Sequence, residues 1–343
     1  MNVPPPQTDT QPNTNTDEPL QWDIAMEKGT VTSAELSIRE ITDREMIIGG
    51  FCREGDLGFI FAKRGVGKSW LGMYLAKCIA LGQKAQKWDV PKPRKVLYLD
   101  GEMNASEIKA RDLVLGLPTD QLAYTNHEIL FEETGRIMNL ANKDFQESLL
   151  AYCIKSEVKV VVLDNLSTLT SGVDENDGLQ WEEIQPFLMR LRRNLITVIF
   201  IHHAGRNNEM RGHSKREDPS AWIIRLDLPS DALEESEGAH FFSRFTKWRN
   251  ASKQPGALEW MFRPDGKGGV DIKVDAASGL DIMRQLIESG VDTNKEIAVA
   301  MDVSTAYVSQ MAKRAADEGW LEIAGKKYKI IAGKRHYSVH KDP

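Results

Sequence analysis

Short apolar runs alternate with helical patterns through the middle of the chain. Four runs are almost uninterrupted, and they occupy residues 58–62, 96–99, 158–163 and 197–201. Runs of this length and composition are typical of strands buried on both faces of a parallel sheet. Segments with apolar side chains every three or four positions lie between them, as in Leu71, Leu75 and Ile79. The pattern predicts an α/β core with a mainly parallel, twisted sheet and crossover helices.

The N-terminal part of the chain differs in composition from this core. Residues 1–21 are rich in Pro, Thr, Asn and Gln and nearly lack large apolar side chains, so we expect a disordered tail. Residues 22–45 mix polar and aliphatic side chains and are interpreted as a docking segment or short helices. Residues 46–275 form the predicted core domain, which gains antiparallel strands near residues 240–250 and 257–262.

A second pattern follows the glycine-rich turn at residues 266–269. Residues 279–343 predict a helix, a helix-turn-helix and a hairpin, and Thr293 with Glu296 forms a capping box before one helix. We interpret this region as a small winged helix-turn-helix domain, which binds DNA or docks on protein. The side chains placed to meet bases or phosphates are Thr305, Tyr307, Gln310, Lys313, Lys326 and Lys327.

Charge and cysteine content set limits on the cellular setting. The net charge of −6 does not indicate nucleic-acid binding by the whole chain, so any basic surface is local. The polar stretch at residues 204–220 is either a solvated loop or a contact for a single strand, and its cations are Arg206, Arg211, Lys215 and Arg216. Three cysteines without zinc spacing fit a reducing cytoplasm, and no export leader or membrane span is predicted.

The run at residues 58–62 leads into a glycine-punctuated turn that opens a helix. Such a turn lets backbone N–H groups approach phosphates, while Lys68 adds a charge and the Ser69 hydroxyl can ligate Mg²⁺. The pattern is therefore typical of an ATP-binding loop, with Ala62 in a place where glycine is usual. The residues predicted to bind nucleotide here are Ala62, Arg64, Gly65, Val66, Gly67, Lys68, Ser69 and Trp70.

Three further predicted strands carry charged or imidazole side chains that are candidates for contact with ATP or its Mg²⁺. Asp164 ends a buried strand and is the expected Mg²⁺ partner, directly or through water, because the metal needs one or two protein oxygens beside the phosphates. The paired histidines His202 and His203 end the next strand, and a histidine at this place is interpreted as a γ-phosphate sensor rather than a structural imidazole. Lys247 and Arg249 share one face of a later strand, as a surface accident or as cations offered to a neighbouring subunit.

With these residues in place, the chain resembles the RecA-type P-loop ATPases, and most closely the RepA-like hexameric replicative helicases, from about residue 49 to residue 274. The resemblance implies that Glu102 polarises the attacking water and that Arg111 belongs to the nucleotide site. It also implies that His203 senses the γ-phosphate, and that Lys247 and Arg249 reach the ATP of the neighbouring subunit.

The resemblance implies an ATP- and Mg²⁺-dependent motor that translocates on single-stranded DNA as a ring. The appended winged helix is the expected site for duplex DNA. Because the minimal helicase has no winged helix, a DNA-binding ATPase switch without unwinding activity stays open: an initiator, loader or regulator. A filament-forming recombinase is a further alternative, and it would assemble as open polymers instead of closed rings.

Overall fold

The computed structural model describes residues 21–170, 178–204, 218–229, 238–251, 255–301 and 303–331. The chain divides into two compact units, Met1–Asp43 and Arg44–Pro343. Within the first unit, α1 (Trp22–Gly29) and α2 (Ser33–Ile38) contain no buried residue, and Thr32 with Glu35 forms a capping box on α2. The tail expected at residues 1–21 lies outside the described residues except for its last position.

The second unit is built on one large sheet. A hairpin of β1 (Met46–Ile48) and β2 (Cys52–Arg53) precedes it. The sheet strands are β3 (Leu57–Ala62), β4 (Val96–Asp100), β5 (Leu122–Asn126), β6 (Val160–Asp164), β7 (Thr197–His203), β8 (Trp222–Asp227), β9 (Ala239–Trp248), β10 (Leu258–Pro264) and β11 (Val270–Ala276). Their order across the sheet is β11-β10-β9-β8-β3-β7-β6-β4-β5. The six strands from β8 to β5 run parallel and the other three antiparallel, which confirms the predicted α/β fold with a mainly parallel sheet.

Helices cover both faces of the sheet. They are α3 (Lys68–Leu81), α4 (Ala105–Val114), α5 (His127–Thr134), α6 (Lys143–Lys155) and α7 (Gly178–Arg193). Successive β6 residues alternate between the two cores, because Val160 and Val162 pack with α3 whereas Val161 and Leu163 pack with α6 and α7. Burial on both faces is the reason that the parallel strands appear in the sequence as continuous apolar runs. Among the described residues, no helix is long and apolar enough to cross a membrane.

The region after residue 278 has a small core of its own. It contains α8 (Gly279–Glu288), α9 (Asn294–Met301), α10 (Thr305–Asp317) and a hairpin of β12 (Leu321–Ala324) and β13 (Lys327–Ile330). Met283, Met311 and Trp320 meet in this core and are almost fully buried. The Thr293 hydroxyl and the Glu296 carboxylate bond each other at 2.6 Å at the start of α9, as the capping pattern predicts.

Candidate nucleotide-binding site

A tight loop connects the end of β3 to the start of α3. The backbone φ is +77° at Gly65 and +109° at Gly67, in the left-handed region that glycine adopts without strain. Gly67 directly precedes Lys68, the first residue of α3, so the unpaired N–H groups of the helix N-terminus lie at the loop. Backbone donors and the positive end of a helix dipole at one place favour an anionic phosphate.

Ala62, where glycine was expected, does not constrain this loop. It is the last residue of β3 and stands in register with His203 on β7. Its carbonyl accepts a hydrogen bond from the Ala204 N–H at 2.8 Å, as an ordinary strand residue would. The left-handed positions of the loop fall on Gly65 and Gly67, so alanine at position 62 needs no unusual backbone conformation.

A pocket of about 410 Å³ opens beside the loop, within the range of small-molecule sites. Its lining residues are Arg64, Gly65, Gly67, Lys68, Ser69, Trp70, Glu102, Met103, Glu107, Arg111, Asp164, His203 and Gly238. The structure thus brings ten of the residues chosen from the sequence together. The Val66 side chain is buried in the core instead, and among the described residues Lys247 and Arg249 do not line this pocket.

Three cationic side chains line the pocket, and the contacts of two of them, Lys68 and Arg111, are defined. The Lys68 side chain is buried, and its Nζ donates to the carbonyl of Lys63 at 2.9 Å. Burial lowers the pKa of Lys68, while the carboxylates of Asp164 and Glu102 act in the opposite direction. The Arg111 guanidinium carbon lies 5.2 Å from the ring centroid of Trp70, a cation–π distance that holds both groups at the wall of the pocket.

The end of β6 supplies the oxygen that Mg²⁺ would need. Asp164 is buried, and its Oδ2 accepts a hydrogen bond from the Tyr98 hydroxyl at 2.7 Å. Burial raises the pKa of Asp164, and hydrogen bonds from Tyr98 and then Ser69 lower it. A hydroxyl and a carboxylate that already meet beside a phosphate loop fit an ATP-bound Mg²⁺, which takes its other ligands from phosphates and water. No cluster of three or more His, Cys, Asp or Glu able to hold a metal occurs in the described part of the chain.

Asp100 holds the turn that carries Glu102. Its Oδ1 accepts hydrogen bonds from the backbone N–H groups of Glu102 at 3.1 Å and Met103 at 2.8 Å. Asn126 closes the same turn by donating to the Met103 carbonyl at 2.8 Å. The second oxygen, Oδ2, is buried without a partner among the described residues. Burial, followed by the nearby charge of Asp164, raises the pKa of Asp100 to about 7.

This raised pKa predicts a pH-dependent cost to stability. The ordinary pKa of the group is 3.8, so the folded chain holds this proton more tightly between pH 4 and 7, and stability falls as the pH rises through that window. Asp100→Asn removes the titration. We expect the variant to gain about 2 kcal/mol relative to the wild type between pH 5 and pH 8, measured by urea unfolding. An equal difference in unfolding free energy at both pH values would contradict the assignment.

Glu102, Asn165 and His203 meet where β4, β6 and β7 end. Asn165 Nδ2 is hydrogen-bonded to the Glu102 carboxylate and lies 3.1 Å from His203 Nε2. Glu102 Oε2 and His203 Nε2 are 3.6 Å apart. Burial, and then the charge of Lys68, lowers the pKa of His203. The residues expected to activate water and to sense the γ-phosphate therefore share one hydrogen-bonding partner.

Lys247 and Arg249 lie at the other end of the sheet. Trp248, between them, pairs with Trp222, which in turn pairs with Gly58 near the start of β3. Gly238, at the opposite end of β9, lines the nucleotide pocket, so the strand separates the two places by about 30 Å. Lys247 Nζ and Arg249 Nη2 both donate to the carbonyl of Asp218, at 3.3 Å and 2.7 Å. Neither cation can reach the phosphate loop of its own chain.

The residues chosen for nucleic-acid contact fall into two groups. Arg206, Arg211, Lys215 and Arg216 lie outside the described residues. The second group is exposed on α10 and around the β12–β13 turn, and it consists of Thr305, Tyr307, Gln310, Lys313, Lys326 and Lys327. Lys327 pairs with Asp292 at 3.0 Å. The exposed polar side chains thus leave the α10 face accessible to a partner.

Sequence reasoning missed Asn165, Asp100, Tyr98 and Gly238 as parts of the site. The signal for Asn165 was a polar residue directly after the strand-terminal acid, where parallel strands present their functional groups. Gly238 has a φ of +141°, and a Cβ there would lie 2.1 Å from the Phe262 carbonyl oxygen. That clash depends on the pairing of β9 with β10, so the sequence gives no local sign of it.

A phosphate loop, a strand-end aspartate beside its serine, and a glutamate–histidine pair over a mainly parallel sheet define a P-loop ATPase. The chain belongs to the AAA_25 family, described as an AAA domain, whose model matches residues 25–209. This confirms the prediction of an ATP-binding ATPase.

Among solved structures, the chain is similar to a KaiC-like protein from the hyperthermophilic archaeon Pyrococcus horikoshii OT3. The identity is 16%, the TM-score is 0.45, and the match covers 66% of this chain and 93% of that one. No curated protein matches the chain.

Proposed function

We propose that the chain is an ATP-dependent DNA motor of the RepA-like replicative helicase kind, assembled as a ring, most simply a hexamer. One observation carries the proposal: Lys247 and Arg249 are held together about 30 Å from the phosphate loop of their own chain. Cations in this arrangement suit the nucleotide of a neighbouring subunit, where they neutralise the charge that develops on the phosphates.

The proposed cycle uses groups from two subunits. ATP would lie on residues 65–69, and Ser69 and Asp164 would hold Mg²⁺, whose charge would neutralise that of the phosphates. Glu102 accepts a proton from the attacking water, and Lys68 stabilises the phosphates from within the subunit. Arg249 and Lys247 of the next subunit complete the site. His203 lies on the strand that leads directly into the stretch containing Arg206 and Arg211, which we propose contacts single-stranded DNA.

The first test compares ATP turnover with and without single-stranded DNA, together with the mass of the assembly. A motor gives turnover that rises strongly with single-stranded DNA, in a multimer, and separates strands in an unwinding assay. Turnover that ignores DNA, or full turnover by a monomer, would contradict the motor. ATP turnover without strand separation would favour the switch described next.

A DNA-binding ATPase switch is the second candidate, and a cavity shared by α8 and the phosphate loop favours it. Gln285, Glu288 and Ser289 at the end of α8 line a cavity of about 160 Å³ together with Lys63 and Val66 of the phosphate loop. The end of α8 therefore adjoins the loop that would hold the phosphates. We propose that α8, α9, α10 and the β12–β13 hairpin form a winged helix-turn-helix that binds duplex DNA. A change in the phosphate loop on nucleotide binding would then act directly on α8 of this DNA-binding region.

The winged-helix proposal predicts an effect of two exposed lysines. The double change Lys326→Ala and Lys327→Ala should weaken duplex binding and make the affinity less sensitive to salt, by about one released counterion for each lysine that binds a phosphate. ATP turnover without DNA should stay at the wild-type value, because the turn between β12 and β13 lies outside the nucleotide pocket. The matched control is Lys267→Ala with Lys273→Ala, two exposed lysines of the β10–β11 hairpin. Equal weakening in both double variants would show that only net charge matters.

A further inference from the structure

Asn165 occupies the centre of the site, although neither the sequence pattern nor the resemblance gives it a role. It is 2% exposed and directly follows Asp164 at the end of β6. Four hydrogen-bonding groups surround its side chain: the Glu102 carboxylate, His203 Nε2, and the backbone N–H and the hydroxyl of Thr168. They come from three different segments of the chain, so this amide is a junction between them.

The surroundings fix which way the amide points. Its Oδ1 accepts a hydrogen bond from the Thr168 N–H at 3.1 Å, and a backbone N–H can only donate. The amide nitrogen must therefore be the atom that meets the Glu102 carboxylate. Nδ2 carries two hydrogens, and its two contacts, Glu102 and His203, account for both.

This orientation determines the tautomer of His203. Because Nδ2 donates, His203 Nε2 must accept, and so the imidazole carries its proton on Nδ1. His203 Nδ1 is buried and has no hydrogen-bond partner among the described residues. His203 lines the nucleotide pocket, but the imidazole N–H that this tautomer carries is buried.

We propose that Asn165 is a positioning residue for ATP hydrolysis, which fixes the Glu102 carboxylate and selects the His203 tautomer that carries its proton on Nδ1. The inference rests on the proposed roles of Glu102 and His203. One amide thereby links the group that takes the proton from water to the group that meets the phosphate. A shift of His203 on phosphate release is transmitted through Asn165 to Glu102, so the two groups change position together.

Asn165→Asp is the sharpest test, because aspartate keeps the shape and the acceptor for Thr168 but has no donor for Glu102 or His203. We expect kcat for ATP to fall roughly 10²-fold while KM for ATP stays unchanged, since misplaced catalytic groups cost rate more than ground-state binding. Asn194→Asp makes the same chemical change at an exposed asparagine of the α7–β7 connection and should leave both constants unchanged. A proportional loss in kcat and in ATP affinity, or wild-type kinetics, would overturn the proposal.

A second readout does not depend on turnover. In protein labelled with ¹⁵N-histidine, the His203 signal, assigned with His203→Gln, should show a protonated Nδ1 and an unprotonated Nε2 in the wild type. In Asn165→Asp the carboxylate accepts a hydrogen bond, so Nε2 should become protonated. A wild-type His203 with its proton on Nε2 would overturn the proposal even if the protein hydrolyses ATP. If His203 shows the expected tautomer but the protein does not hydrolyse ATP, the proposed function is wrong and the arrangement of Asn165 and His203 is not.

Discussion

Glu102→Gln should lower ATP turnover by about 10²–10⁴-fold, the range typical of a lost general base. Glutamine keeps the length of the side chain, and its amide oxygen can still accept the hydrogen bond from Asn165 Nδ2. The backbone bonds from Glu102 and Met103 to Asp100 are unaffected, so the turn keeps its form. The loss should therefore appear in kcat, with ATP affinity close to that of the wild type.

The measurement is steady-state turnover together with nucleotide binding by titration of the same protein. Glu132→Gln is the matched control, because it makes the same change at an exposed carboxylate of α5, away from the pocket. Its turnover should equal that of the wild type. If Glu102→Gln keeps more than a tenth of the turnover, another group activates the water and the role given to Glu102 is wrong.

Arg249→Ala should lower turnover by roughly 10³-fold, the scale of a lost arginine finger, and leave nucleotide binding intact. The loss has a different origin from that of Glu102→Gln, because Arg249 lies at the far end of the sheet from its own pocket. Glu102→Gln removes the glutamate that one subunit supplies to the proposed interface site, and Arg249→Ala removes the cation that the next subunit supplies. Arg263→Ala, an exposed arginine of the neighbouring strand β10, serves as the control and should retain full turnover.

Mixing the two inactive variants gives the decisive result. An interface between the pocket of an Arg249→Ala subunit and the cation of a Glu102→Gln subunit contains every catalytic group. In an equal mixture of randomly assembled subunits, roughly a quarter of the head-to-tail interfaces have this composition, and turnover should recover to a similar fraction. No recovery after dissociation and reassembly would mean that Arg249 does not act across the interface.

The central part of the fold was predictable because its physical causes are local. Burial on both faces produced the apolar runs of β3, β6 and β7, and the glycine-lysine-serine turn marked the start of α3. The edge strand β5 (Leu122–Asn126) was missed, because its inner three residues are only half-buried and its sequence is mixed. The buried strand β8 was missed as well, although Trp222 and Ile223 fit a strand, because it follows a long polar stretch.

The sequence predicted individual residues of the candidate site but not the contacts between them. Chain order placed Glu102, Asp164 and His203 at strand ends, but only the order of β4, β6 and β7 across the sheet brings them to a single asparagine. The same holds for Arg249, whose distance from the pocket follows from the antiparallel direction of β9. Such contacts depend on which strands pair across the sheet, and a local sequence pattern does not contain that information.

The separation of the two ends of the sheet also bears on how the proposed ring closes. In that ring, each subunit offers its pocket to one neighbour and its cation to the other, so every interface is head to tail. An open chain of subunits always leaves one pocket unused at one terminus and one cation at the other, whereas a closed ring uses all of them. Specific activity per subunit should therefore rise with the number of subunits joined and reach its full value at the protein concentration where rings close.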